Sequence, residues 1–355
     1  MGAAHRCREL QTAVRGRSAA GRGRGQTLRG AAAGDRRLMD RAHLAAIADA
    51  VIARQGKVLD LRGKRAQPRH VHLLRTPMAF VDDIVSTLSD DGTAGDPLPW
   101  PKTHRLFRLR PSEVTLWGGG NGASKSTVLS EVALALAVAG QRVVVLSLEM
   151  PVAKLAARMV RQAFAARQPV RSRVVRWSEQ LEDALAFLDL VGDVDPNDVI
   201  ELARYCAAEL RTQHFVLDNL TKVLSADNEH AELQRRFMAV LCRIAMDSGM
   251  HVHVVAHTRK PPGRSEDEIP SRYEIAGSRT LSDQADNVVM VWRNRPKEAK
   301  QAAGDRGIAD QPDVVLLVDK QRWGSWEGQI TLWMDREAFR FVEHYADRAQ
   351  PMLKD

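Results

Sequence analysis

The sequence predicts an α/β fold in which helices cover a mostly parallel sheet, a C-terminal antiparallel hairpin closes it, and a small helical attachment precedes it. Three observations carry this reading. From residue 111 onward apolar runs of strand length alternate with helical segments, a glycine-rich turn joins the first such strand to the first helix, and two short apolar stretches lie close together near the end. Runs that are apolar throughout, rather than at every second position, are what strands buried on both faces of a parallel sheet require.

The strands are expected at 113–117, 142–148, 214–219, 251–256, 287–292 and 313–318, with the hairpin at 329–333 and 339–342. Helices are expected at 125–139, 152–166, 197–212 and 229–247. Helix-like stretches at 42–54 and 79–88 are interrupted by Gly, Arg and Pro and make only a small attachment. Residues 90–101, DDGTAGDPLPWP, cluster the residues that punctuate linkers, with Trp100 as an anchor onto the next domain. The organisation is then a basic tail at 1–40, the attachment and linker at 41–104, the main domain at 105–345 and a C-terminal tail at 346–355.

Composition bounds the class. Hydrophobic residues are 44% and charged residues 27% of 355, as in an ordinary globular chain with apolar mass for one large core. No apolar run approaches the ~20 residues of a membrane-spanning helix, so a soluble protein without a membrane partner is expected. Residues 1–40 hold nine Arg against Glu9, Asp35 and Asp40, so most of the net charge of +8 lies there. That tail has no hydrophobic periodicity and is expected to be disordered. A nucleic-acid-binding arm, an organelle transit peptide and an overlong start without a role all fit it. Cys7, Cys206 and Cys242 are far apart and odd in number, which suggests a reducing compartment and, with no C-x-x-C pair, no zinc ribbon.

The strongest chemical signal is TLWGGGNGASKST at 115–127. A glycine-rich turn that opens a helix presents backbone N–H groups to a triphosphate, a lysine offsets charge on the outer phosphates, and the next hydroxyl ligates magnesium. Gly119, Gly120, Asn121, Gly122, Ala123, Ser124, Lys125, Ser126 and Thr127 make up this loop, with Lys125 and Ser126 in the last two roles. In the register G-x-x-x-x-G-K-[ST] the second glycine is replaced by Ser124, which is expected to weaken nucleotide binding and puts ATP hydrolysis in doubt.

The remaining groups stand at strand ends. Glu149, in SLEMP, places a carboxylate where it could orient and deprotonate the water that attacks a γ-phosphate. HFVLD ends in Asp218, suited to holding magnesium. His257 stands just beyond HVHVVA, where an imidazole could report the presence of the γ-phosphate to the adjoining Pro-, Gly- and charge-rich loop. In that loop Arg259, Lys260 and Arg264 read either as solvated charge or as DNA contacts. His251 and His253 share a strand face, which raises a metal site, but no third ligand is evident. Lys320 and Arg322, two apart on an extended segment, face the same way and could reach a neighbouring subunit's triphosphate.

In this order the pieces resemble the DnaB-like hexameric helicase family of RecA-like P-loop ATPases, which includes Twinkle and the phage helicase-primases; the similarity covers about 105–345. The resemblance implies Glu149 as catalytic glutamate, Asp218 as magnesium-holding aspartate, His257 as γ-phosphate sensor, and Lys320 and Arg322 as an arginine-finger hairpin. It implies ATP and magnesium as cofactors, a hexameric homo-oligomeric ring moving 5′ to 3′ on single-stranded DNA, a separate primase or loader, and a cytoplasmic place in a bacterial or phage-infected cell. Ser124 and the lack of a zinc-binding or primase module depart from the pattern. Two other readings fit the core: a RecA-like recombinase or circadian-clock-type ATPase, and a scaffold or loader subunit with a degenerate loop.

Overall fold

The computed structural model describes residues 75–89, 93–224, 230–259, 268–277, 279–305 and 307–354. The 1–40 tail and the expected helix at 42–54 lie outside them. The described residues fall into two compact units, the smaller at 75–89 and the larger from 93 onward. The described part of the smaller unit is a 3-10 turn, Pro77–Phe80, running into helix α1, Val81–Ser89, with Asp82 and Asp83 in its first turn.

The larger unit is built on a nine-stranded sheet among the described residues, in the order β11-β10-β9-β8-β3-β7-β6-β4-β5. Strands β3 (Val114–Gly119), β4 (Val143–Ser147), β5 (Leu185–Leu188), β6 (His214–Asp218), β7 (His251–His257) and β8 (Asn287–Arg293) are parallel. Strands β9 (Val314–Gln321), β10 (Gly328–Asp335) and β11 (Arg340–Val342) continue it antiparallel, so the expected terminal hairpin is β10 with β11. A separate two-residue ladder pairs β1 (Asp96–Pro97) with β2 (Arg108–Leu109).

Alternate strand residues feed two cores. Val143 and Val145 pack with Leu129, Val132 and Met159 beneath α2 (Lys125–Val138), α3 (Val152–Phe164) and α4 (Arg171–Gln180). Val144 and Leu146 pack with Leu202, Phe215 and Leu241 beneath α5 (Pro196–Ala208), α6 (Ala231–Ser248) and α7 (Thr280–Gln284). Helix α3 shows how the pattern works: Leu155, Met159, Val160, Ala163 and Phe164 fall on one face at helical spacing and are buried. It ends where Ala165 turns left-handed, φ 46°.

Three elements escape the apolar pattern. β5 is four residues at the sheet edge, α4 is RSRVVRWSEQ with Trp177 its one buried residue, and α8 (Arg295–Ala302) is a polar helix set by its Asn294 cap and Pro296. Helix α5 stops at Ala208, short of the expected 212, before Arg211 adopts φ 49°. The stretch 93–101, with the composition of a linker, is packed: Leu98 and Trp100 are 1% and 2% exposed, and Trp100 Nε1 donates to Phe341 O at 3.0 Å. Its turn residues shape a strap whose two apolar side chains are buried. Likewise Met352 N donates to Ala163 O at 2.7 Å, tying residues past 345 to α3.

Candidate active site

Strand β3 ends in Gly118 and Gly119 because its neighbour leaves no room: a Cβ on Gly119 would lie 2.4 Å from Val291 O of β8. The glycine-rich loop then turns back into α2, and each of its first four carbonyls is taken by a donor. Lys125 Nζ donates to Gly119 O and Gly120 O at 2.8 and 2.9 Å. Arg295 Nη2 donates to Asn121 O at 2.6 Å and Arg293 Nη1 to Gly122 O at 3.4 Å. With its carbonyls so engaged, the loop leads into the first turn of α2, whose N–H groups have no intrahelical acceptor. This is the cradle an anion needs. Ser124 sits in it at φ 73°, ψ 16°, the left-handed region, and its side chain makes no capping hydrogen bond. That conformation costs an L-residue roughly 1–2 kcal/mol, so a glycine at this position would serve the backbone as well as clearance for phosphate.

The sheet register brings the other groups to the same edge. Gly119 pairs with His257, and Ser147, two residues before Glu149, pairs with Asp218. The carboxyl ends of β3, β7, β6 and β4 therefore stand side by side, the edge at which open α/β sheets bind ligands. His257 Nδ1 is 3.2 Å from Lys125 Nζ, and its Nε2 is 2.7 Å from Asn219 Nδ2 and 3.4 Å from Glu149 Oε1. Asn219 Nδ2 also donates to Glu149 Oε1 at 2.6 Å. Lys125, His257, Asn219 and Glu149 thus form one row, in which Asn219 is a member that no motif of the sequence singles out.

Burial sets the electrostatics. It pulls Lys125 down to about 8, against the attraction of Asp218 and Glu149. It also lowers His257, helped by the Lys125 charge, which keeps the imidazole neutral. A neutral imidazole has one acceptor nitrogen, so hydrogen bonds from Lys125 and from Asn219 are alternatives. Burial raises Asp218, opposed by a hydrogen bond from Ser126. Asp218 Oδ1 is buried without a hydrogen-bond partner. A carboxylate oxygen left over beside a serine hydroxyl fits a hard divalent cation, which takes oxygen ligands.

Beside Ser124 and Thr127 opens a cavity of about 540 Å³, lined also by Arg161, Arg293, Arg336 and Phe339. Phe339 has φ 56°, and the Arg161 guanidinium lies 4.9 Å from its ring centre. Its place past the end of the loop suits the nucleoside part of a ligand.

The structure keeps the remaining candidates apart from this cluster. Arg259 donates through Nη2 to Gly277 O at 3.3 Å; Lys260 and Arg264 lie outside the described residues. Lys320 Nζ donates to the carbonyls of Ser282, Asp283 and Ala285 at 3.0, 2.8 and 2.7 Å, capping α7. Arg322 Nη1 pairs with Asp286 Oδ1 at 2.8 Å. Asn287 pairs with both Thr115 and Gln321, which puts Lys320 and Arg322 at the amino edge of the parallel strands, opposite their own chain's loop.

His251 and His253 do acquire a third histidine, His214, through the pairing of β6 with β7. The rings are occupied by hydrogen bonds. Trp117 Nε1 donates to His253 Nδ1 at 3.2 Å, so His253 Nε2 carries the proton given to His214 Nδ1 at 3.2 Å, and His214 Nε2 donates to Asp96 Oδ2 at 3.0 Å. His251 Nδ1 donates to Arg110 O at 2.6 Å and its Nε2 accepts from Thr115 Oγ1 at 2.9 Å. Among the described residues no group of three His, Cys, Asp or Glu could hold a metal.

A family model described as an AAA domain matches residues 86–263, half of the chain. Among solved structures, the chain is similar to an ATPase domain, with a TM-score of 0.63 and 15% identity over 75% of this chain and 98% of that one. It is also similar to a DnaB-like replicative helicase solved for its interactions with primase, with a TM-score of 0.62 and 16% identity over 86% of this chain and 79% of that one. Such likeness shows the fold, which is the RecA-like α/β fold expected from the sequence. Among the described residues no helix is long and apolar enough to cross a membrane.

Proposed function

We propose, from the premise that this chain belongs to the AAA-domain family, that it is the motor subunit of a ring-forming DNA helicase that hydrolyses ATP and translocates on single-stranded DNA. The observation that carries the reading is the meeting of Lys125, Asp218, Glu149 and His257 on four neighbouring strand ends around one phosphate cradle. Lys125, reaching from loop carbonyls, would exchange them for the outer phosphates. Glu149, held by Asn219 and with its side chain 43% exposed, would take a proton from the attacking water as the bond to the γ-phosphorus forms and the bond to ADP breaks. Magnesium held by Ser126 and Asp218 would neutralise charge on the transferring phosphoryl group.

His257 would read the outcome. When the outer phosphates occupy Lys125, the acceptor nitrogen of the neutral ring is free for Asn219; when they leave, Lys125 competes for it. Arg259 comes two residues later, and with Lys260 and Arg264 it would carry that change to the DNA backbone.

Lys320 and Arg322 support assembly by their location. At the amino edge of the sheet they serve no triphosphate of their own chain, and in a ring they would face a neighbour's. A hexamer, a separate primase or loader, and a cytoplasmic setting complete the reading. The test is ATP hydrolysis by the whole chain with and without single-stranded DNA, beside Lys125→Ala. Turnover stimulated by DNA and lost in Lys125→Ala is expected; no turnover under any condition would favour a non-catalytic subunit, with Ser124 as the reason.

A further inference from the structure

The loop's own carbonyls identify a cation that no motif signals. Lys125 Nζ occupies Gly119 O and Gly120 O, and Arg295 Nη2 occupies the next carbonyl along, Asn121 O, at 2.6 Å. A Cβ built on Gly122 would lie 3.2 Å from the same Nη2, so the guanidinium rests on the loop's apex. With Arg293 Nη1 on Gly122 O at the longer distance of 3.4 Å, three cations sit on four consecutive carbonyls of one turn, and Lys125 is the one the motif assigns to the outer phosphates.

The backbone from which Arg295 extends is fixed by its surroundings. Arg295 is the first residue of α8, directly after Asn294, whose Oδ1 accepts from Lys297 N at 3.0 Å and whose Nδ2 donates to Pro312 O at 3.0 Å. Asn294 itself is 7% exposed and its N donates to Asp313 O at 2.9 Å. The corner between β8 and α8 is therefore rigid, and it lies at the carboxyl end of the strand next to β3. Arg295 is exposed there. Lys320 and Arg322 lie at the opposite edge of the sheet, away from this loop.

We propose that Arg295 contacts the terminal phosphate of a bound nucleoside triphosphate from within the same chain, moving from Asn121 O to that phosphate when it is present. The inference rests on the reading of the loop as a triphosphate site. An arginine so placed offers charge-assisted hydrogen bonds that a diphosphate, one phosphate shorter, does not receive.

The test is titration of the full chain with fluorescent ATP and ADP analogues in the presence of magnesium, for the wild type, Arg295→Ala and Arg295→Lys. In Arg295→Ala the affinity for the ATP analogue should fall about tenfold or more, the scale of a hydrogen bond to a charged group, while that for the ADP analogue changes less than about twofold. Arg295→Lys, which keeps the charge, should recover part of the loss. Equal losses for both analogues would overturn the proposal and leave Arg295 as a loop support, and no loss for either would make it surface charge. Failure of the wild type to bind either analogue would instead overturn the reading of the loop. Thermal unfolding of each variant without nucleotide separates these outcomes from misfolding.

Discussion

Replacing Ser124 by glycine should make the protein both more stable and a better nucleotide binder. Ser124 holds φ 73° with no hydrogen bond from its hydroxyl to the helix it precedes. Relief of the left-handed penalty is worth about 1–2 kcal/mol. The extra freedom of glycine in the unfolded chain returns about 0.5–1 kcal/mol of that. The net gain is then about 0.5–1 kcal/mol, which for a domain of this size raises the melting temperature by roughly 1–3 °C. Removing the side chain also clears two heavy atoms from the cradle, and since overpacking a tight site costs about 1–3 kcal/mol, nucleotide affinity should rise about tenfold. Calorimetric unfolding without nucleotide reads the first effect, and titration with a fluorescent ATP analogue reads the second. Ser124→Ala is the internal control: it removes the hydroxyl but keeps Cβ at positive φ, so it should gain no stability. Equal melting temperatures for the Gly and Ala variants would refute the strain argument, and an unchanged dissociation constant in Ser124→Gly would refute the steric one.

Glu149→Gln should still bind ATP while turnover falls by at least a hundredfold, because an amide cannot accept the water's proton; steady-state hydrolysis beside nucleotide titration checks this, and retained turnover would remove Glu149 from the role. Lys125 lies at about 8 because it is buried, and an anionic ligand favours its charged form. Nucleotide binding near pH 8.5 should therefore take up protons, seen as binding enthalpies that vary with the buffer's ionisation heat, and the uptake attributable to this lysine should vanish in Lys125→Met. Asp96→Ala should lower stability by about 1–3 kcal/mol in denaturant unfolding by leaving a buried His214 donor unpaired; a loss under about 0.5 kcal/mol would show that the row of histidines relaxes without it.

Much of the fold can be read directly because its strands are buried on both faces. VTLWGG and VVVLS are buried throughout and stand out as nearly continuous apolar runs, and in the buried HVHVVAH four apolar residues stand among three histidines. β5 and α4 do not stand out for the opposite reason: one is four residues long at an edge, and the other buries a single Trp177 among arginines. The site divides in the same way. Lys125, Glu149, Asp218 and His257 each come after an apolar run, so local sequence points to them. Arg293 and Arg295 reach the loop across more than 170 residues of chain, and only the pairing of β3 with β8 brings them there. Sheet order also separates Lys320 and Arg322 from their own loop and delivers His214 to His251 and His253; neither fact is written in any single segment.

The histidine row has a consequence for how the protein responds to acid. Each proton from Trp117 to Asp96 has one address, and adding another would set donor against donor inside the sheet. Burial holds His253 well below the ordinary imidazole range and His251 at about 3, so over the pH range of living cells these two rings stay neutral. Through His251 and His253 the sheet interior is therefore acid-blind in that range. At the carboxyl edge Lys125, His257 and Asp218 have shifted values and stand together at the strand ends, so a pH dependence of activity is to be sought there rather than in these two rings.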